Sequence, residues 1–231
     1  MFLVRGMTLR LFCPRIRAGI FAVALVGLVS PALADPNLWT KDIDKFITED
    51  GSHPMVRNPV LFVGSSSIVK WTTLARDFPG IPVINRGFGG SELADSVFFA
   101  DRIIMPHQPR IVVLYAGEND LWAGKTPEKV LSDFKAFRLK LQRNMPNVRI
   151  FFLSIKESPS RTRIRADVLR TNELIAAECA IGRNCLYVDV ATPMLDKDGK
   201  PRPALFVADQ LHMNSAGYAI WTAVLAPLLK P

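Results

Sequence analysis

Metal and redox chemistry have little to work with in this chain: of 231 residues only three are cysteine and three histidine. Cys13, Cys179, Cys185, His53, His107 and His212 fall into neither a C-x-x-C nor an H-E-x-x-H spacing, so no metal site is expected. A G-x-G-x-x-G run is also missing, which removes the dinucleotide fingerprint. No segment repeats at a fixed period, and the 14 glycines and 17 prolines follow none, so solenoid, propeller and collagen-like folds are excluded.

Acidic residues are absent from positions 1–34, where Arg5, Arg10, Arg15 and Arg17 precede an apolar run over 18–29. That run falls short of the roughly 20 residues a spanning helix needs, and Ala32 and Ala34 supply an A-x-A cleavage pattern behind it. The segment reads as a secretory signal peptide, with Met7 as an alternative start; an uncleaved anchor is the competing reading. Cleavage after Ala34 implies an exported protein, periplasmic or secreted, without stable membrane insertion. It removes four of the 29 basic residues and none of the 21 acidic ones, so the formal charge falls from +8 to +4 over the remaining 197 residues. That balance calls for no nucleic-acid partner. At 49% hydrophobic and 22% charged residues the composition is that of a globular protein, and residues 35–231 suffice for one domain. Cys13 leaves with the leader, whereas Cys179 and Cys185 bracket a turn-like insert and are placed for a local disulfide in an oxidising compartment.

Short, β-branched apolar runs at 60–63, 83–85, 110–115, 148–155 and 186–190 alternate with amphipathic segments at 38–48, 68–78, 91–105, 127–144 and 163–180. A last helical segment begins near Ser215. Thr126 followed by Pro127 is a good helix start, a capping side chain and then a residue whose missing N–H costs nothing. The alternation is that of an α/β fold with a mainly parallel sheet of five strands. Ligands of such sheets bind outside the carboxyl ends of the strands, so chemistry is sought in the loops after Val63, Asn85 and Tyr115.

Each of those loops holds candidates. After the first run comes Gly64-Ser65-Ser66-Ser67-Ile68, a serine cluster entering a helical pattern, where a serine's own N–H can face an oxyanion; a capping serine is the plainer alternative. After the second, Asn85 to Gly90 contains three glycines that let the backbone approach a ligand, or merely turn. After the third, Gly117-Glu118-Asn119-Asp120 offers an amide donor, or an Asx cap. Glu118 and Asp120 do not read as a glycosidase pair, because neighbours on an extended path point apart. Before the last helix, Asp209 stands three residues ahead of His212, close enough to reach its Nδ1 across one turn; an ordinary surface pair is the plainer alternative. His53 and His107, beside prolines, read as structural or solvent-facing. Arg161, Arg163 and Arg165 read as a solvated helix face, with steering of an acidic substrate as the alternative.

Taken in order, these four elements resemble the blocks of the SGNH hydrolases, also called GDSL esterases and lipases, and the resemblance spans nearly all of the chain after the leader, from Asn58 to about Tyr218. The resemblance implies a three-layer α/β/α sandwich with a flavodoxin-like, five-stranded parallel sheet. Matched residue by residue, it makes Ser66 the nucleophile, with Ser67 as the fallback in the serine run, and Asp209 and His212 the rest of a triad. The oxyanion donors are then the Ser66 and Gly90 amides and the Asn119 side chain. One position departs from the pattern: Ser65 stands where the family carries Asp. The implied activity is cofactor-free hydrolysis of a small-molecule or glycan ester, short-chain or acetyl, through an acyl-enzyme. Acyl transfer to a sugar or alcohol, and an inactive module that binds acylated glycans, are the alternatives. Connections at 121–125, 157–163 and 191–204 are expected to shape the pockets.

Overall fold

In a computed structural model describing residues 38–230 other than 53 and 55, the apolar runs become five strands. They are β1 (Val60–Gly64), β2 (Val83–Gly87), β3 (Ile111–Tyr115), β4 (Arg149–Leu153) and β5 (Cys185–Val188). All neighbours pair in parallel, in the order β2-β1-β3-β4-β5. This is the flavodoxin-like doubly wound order, whose direction of winding reverses between β1 and β3. The leader and His53 lie outside the described residues.

The helices are α1 (Thr40–Ser52), α2 (Ser66–Val69), α3 (Leu74–Asp77), α4 (Leu93–Ile103), α5 (Glu118–Trp122), α6 (Pro127–Asn144), α7 (Arg165–Ile181) and α8 (Ser215–Leu225). Because successive strand residues face opposite sides, the sheet serves two cores. Leu61, Val63, Val112, Leu114, Ile150 and Phe152 pack against α1, α4, α6 and α7. Val60, Phe62, Val113, Phe151 and Leu153 pack against α2, α3 and α8. Strands buried on both faces explain why the runs are continuously apolar and not alternating. Thr126 caps α6 by accepting the Lys129 N–H, with Pro127 in its first turn as expected. Cys179 at the end of α7 and Cys185 at the start of β5 are joined by a disulfide.

Two expectations are corrected. The helix expected over 68–78 is broken into α2 and α3. The Trp71 indole and the Thr73 hydroxyl both donate to Asp77 Oδ2, at 2.7 and 2.5 Å, and close a turn between the two pieces. That turn buries Trp71 among Phe62, Phe78, Tyr218 and Trp221, with ring centroids 5.2–5.9 Å apart, where aromatic pairs each contribute about 0.5–1.5 kcal/mol beyond their area. The helix expected from 163 begins at Arg165, because Pro159–Ile164 forms 3₁₀ turns. Arg161 and Arg163 therefore do not share a solvated helix face. Both guanidinium groups lie over the Trp122 ring, at 5.2 and 3.8 Å from its centroid.

Candidate active site

The turn after β1 depends on Gly64. Its φ is +136°, and a Cβ there would lie 1.9 Å from the Tyr115 carbonyl oxygen, so only glycine lets the ends of β1 and β3 come this close. Ser65 N–H then donates to that same carbonyl at 3.1 Å, and the chain turns into α2 with Ser66 as its first residue. Two side chains clamp the turn. Asn85 accepts from Gly87 N–H at 2.9 Å and donates to the Ile68 carbonyl at 2.7 Å. Tyr218 of α8 donates to the Ser67 carbonyl at 2.9 Å. Ser65 and Ser67 are buried, while Ser66 is half-buried.

His212 arrives from the other end of the sequence. Its loop is closed by Val207 N–H donating to the His212 carbonyl, by Gln210 in a left-handed conformation, and by the Phe206–Met213 bridge. Asp209 Oδ1 accepts the Leu211 and His212 amides, both at 2.9 Å, which aims Oδ2 at His212 Nδ1, 2.6 Å away. His212 Nε2 lies 2.9 Å from Ser66 Oγ. The bonds from the His212 ring and amide hold the Asp209 carboxyl well below the usual carboxylate range, so it faces the imidazole as an anion. Sequence reasoning missed Asn214, which caps α8 by accepting two amides and donates to the Ala204 and Phe206 carbonyls, fixing this loop. Its position just before a helical run is an N-cap signal that was there to be read.

The loop after β2 lies alongside. Phe88 N–H donates to the Gly64 carbonyl at 2.9 Å, and the Trp39 indole to the Gly89 carbonyl at 2.8 Å. Gly90 has φ +78°, a conformation that leads its backbone out of the strand direction. Asn119 sits in the first turn of α5, a short helix where a strand-edge loop was expected. Its Nδ2 donates to the Ser91 carbonyl and its Oδ1 accepts from Arg161 Nη1, both at 3.0 Å.

The carboxyls on either side of Asn119 are buried. Glu118 accepts from Tyr115 (2.8 Å), Lys156 (2.6 Å) and Ser158 (2.7 Å). Burial pushes its carboxyl up, but the Lys156 charge, the bonds from Lys156 and Ser158, and the Arg161 charge more than offset this and leave it below its ordinary range. Asp120 accepts the Leu93 amide at the start of α4, and burial outweighs the opposing charge of Lys125, 3.7 Å away, and raises its pKa to about 6. A carboxyl raised on folding takes up a proton in the folded chain before the unfolded one, so its contribution to stability grows as pH falls through about 6 toward 3.8. Relative to Asp120→Asn, the wild type is expected to gain stability between pH 7 and pH 5, as read by urea melts; parallel curves would refute it.

A cavity of about 550 Å³ adjoins this network, lined among others by Glu118, Lys156, Arg161, Arg165, Asp198 and Lys200; the connections at 157–163 and 191–204 contribute to it and the one at 121–125 does not. Ser66, Asp209 and His212 do not line it. Among the described residues no cluster of His, Cys, Asp and Glu is suited to a metal ion, and no helix is long and apolar enough to cross a membrane.

A hydroxyl bonded to an imidazole that is itself bonded to a carboxylate can pass a proton and attack an acyl carbon. Placed at the carboxyl edge of a doubly wound sheet, it fits an α/β enzyme that attacks acyl groups. A profile of the GDSL-like lipase/acylhydrolase family matches residues 50–220. The chain belongs to that family and is a carboxylic ester hydrolase. Among curated proteins no significant sequence match was found. Solved structures share the fold. A Streptococcus pneumonia protein described as a platelet activating factor aligns with TM-score 0.75 and 20% identity, over 82% of this chain and 92% of its own. A GDSL-like lipase from Bacteroides thetaiotaomicron gives 0.68 and 19%, over 81% and 96%. A catalytic mutant of an acetylxylan esterase from Geobacillus stearothermophilus gives 0.59 and 16%, over 77% and 97%.

Proposed function

We propose that the protein is an exported esterase that removes short acyl groups, acetyl foremost, from small-molecule or glycan esters through an acyl-enzyme on Ser66. The observation that carries this reading is the continuous pair of contacts from Ser66 Oγ to His212 Nε2 (2.9 Å) and from His212 Nδ1 to Asp209 (2.6 Å). His212 takes the hydroxyl proton as Ser66 Oγ bonds to the ester carbon. The carbonyl oxygen, now an anion, is held by the Ser66 and Gly90 amides and by the second N–H of Asn119 Nδ2. Collapse expels the alcohol, which receives the proton from His212. Water then attacks the acyl-enzyme, losing its proton to His212, and the acid leaves as Ser66 regains its own. Asp209, held anionic, stabilises the imidazolium in both halves. Ser65 in place of the family Asp leaves every group in this sequence intact.

Short acyl preference rests on the lack of a long apolar insert between the motifs and on the acetylxylan esterase among the fold relatives. Export rests on the leader-like residues 1–34 and on the Cys179–Cys185 disulfide, which suits an oxidising compartment. The test is a chain-length series of p-nitrophenyl esters. The specificity constant should be highest for acetate and fall as the acyl chain lengthens; a rise toward long chains would overturn the short-chain assignment. Product analysis with an added alcohol separates hydrolysis from acyl transfer, since an acceptor that captures the acyl group in preference to water would replace hydrolysis as the reading.

A further inference from the structure

The family motif gives Asn119 a task but does not say what holds its amide the right way round. We infer that Arg161 is a positioning residue for Asn119, fixing the orientation in which Nδ2 faces the reacting carbonyl oxygen. This inference rests on the esterase reading above and deepens it.

A side-chain amide has two orientations related by a half-turn, and they differ only in which end donates. As found, Oδ1 accepts from Arg161 Nη1 and Nδ2 donates to the Ser91 carbonyl, each at 3.0 Å. After a half-turn, Nδ2 would meet a guanidinium that cannot accept, and Oδ1 would meet a carbonyl that cannot donate. Both contacts would become repulsive. With the amide locked, one N–H is spent on Ser91 and the other remains for an oxyanion.

Arg161 is itself held for this task. The same Nη1 donates to the Glu118 carbonyl at 3.3 Å, its Cζ lies over the Trp122 ring, 5.2 Å from the centroid, and its side chain is only 13% exposed. Its segment is clasped to the histidine loop, for Ser160 donates both its amide and its hydroxyl to the Gln210 carbonyl, at 3.1 and 3.0 Å. One short connection thus touches both halves of the site. A rigid guanidinium held over an indole while one of its nitrogens bonds two acceptors is not reproduced by a flexible, strongly hydrated ammonium.

The test is a double-mutant cycle on p-nitrophenyl acetate, using wild type, Arg161→Met, Asn119→Ala, the double variant and Ser66→Ala, with thermal melts of each. Arg161→Met is expected to lower kcat about 10-fold with KM nearly unchanged, and Asn119→Ala about 100-fold, the scale of one lost oxyanion donor. Because Arg161 acts through Asn119, the double variant should be no slower than Asn119→Ala alone. In two further variants that leave room for the ion, added guanidinium should restore part of the kcat of Arg161→Ala and none of that of Arg161→Ala combined with Asn119→Ala. Should Arg161→Met fail to fold, Arg161→Lys takes its place in the cycle with the same expected non-additivity. Multiplying effects, or a rise in KM at constant kcat, would overturn the positioning role while leaving the esterase reading in place. An inactive wild type, or a fully active Ser66→Ala, would overturn both.

Discussion

Ser66→Ala is expected to lower kcat on an acetyl ester by at least about ten-thousandfold, the scale set by removing the serine of a working triad, while leaving the melting temperature almost unchanged. The large loss follows from geometry. Of the three adjacent serines, only Ser66 meets His212 Nε2, and Ser65 and Ser67 are 4% and 2% exposed, so neither takes over. The small structural effect has an equally local cause. Ser66 is half-buried, the residue before it occupies the cap position of α2, and the turn is fixed by Gly64, Asn85 and Tyr218 and not by the Ser66 hydroxyl. Steady-state kinetics beside a thermal melt checks both halves. A fluorophosphonate probe should add one label to the wild type, located at Ser66 by peptide mass, and none to the variant. Residual activity within about tenfold of wild type would remove Ser66 from the mechanism.

The parts of this molecule that were legible in the sequence are those written in contiguous residues. Strand runs buried on both faces show themselves as unbroken apolar stretches, and Asp209 and His212 sit in one short motif whose three-residue spacing lets the carboxylate reach the ring, 2.6 Å away. What stayed hidden are the contacts between segments. Arg161 reaches Asn119 across 42 positions, and Tyr218 reaches the Ser67 carbonyl across 151. Helical periodicity alone placed Arg161 on a solvated face, because it carries no record of the Trp122 ring on which the guanidinium rests. The same limit explains the helix expected over 68–78. Its apolar spacing is real, but burial of Trp71 and the capture of Asp77 by Trp71 and Thr73 cut it in two. Lys156 is the extreme instance, a charged residue 1% exposed, where composition assigns lysine to the surface.

Lys156→Met is expected to cost about 3–5 kcal/mol of folding stability, the range for breaking a buried ion pair by removing one partner. In a domain of this size that corresponds to roughly a 10 °C fall in melting temperature. The ammonium bonds Glu118 at 2.6 Å and Ser158 at 2.9 Å, and sits near the Tyr115 and Phe206 rings. Without it, Glu118 keeps its Tyr115 and Ser158 donors, but the nearest cation is Arg161 at 3.9 Å. Two further measurements separate this account from a simple packing defect. Glu118→Gln combined with Lys156→Met should recover most of the loss, because both charges leave together and the amide oxygen still accepts. The pH dependence should also change sign. In the wild type the Glu118 carboxyl is lowered on folding, so the stability it contributes is present above its unfolded pKa and is lost as pH falls through the folded one. In Lys156→Met burial dominates and the carboxyl rises, so the folded variant binds a proton first and its deficit shrinks as pH falls from 7 to 5. Urea melts at the two pH values read this directly. A deficit that is constant with pH and undiminished in the double variant would mean that the lysine's methylenes, and not its charge, hold this part of the fold.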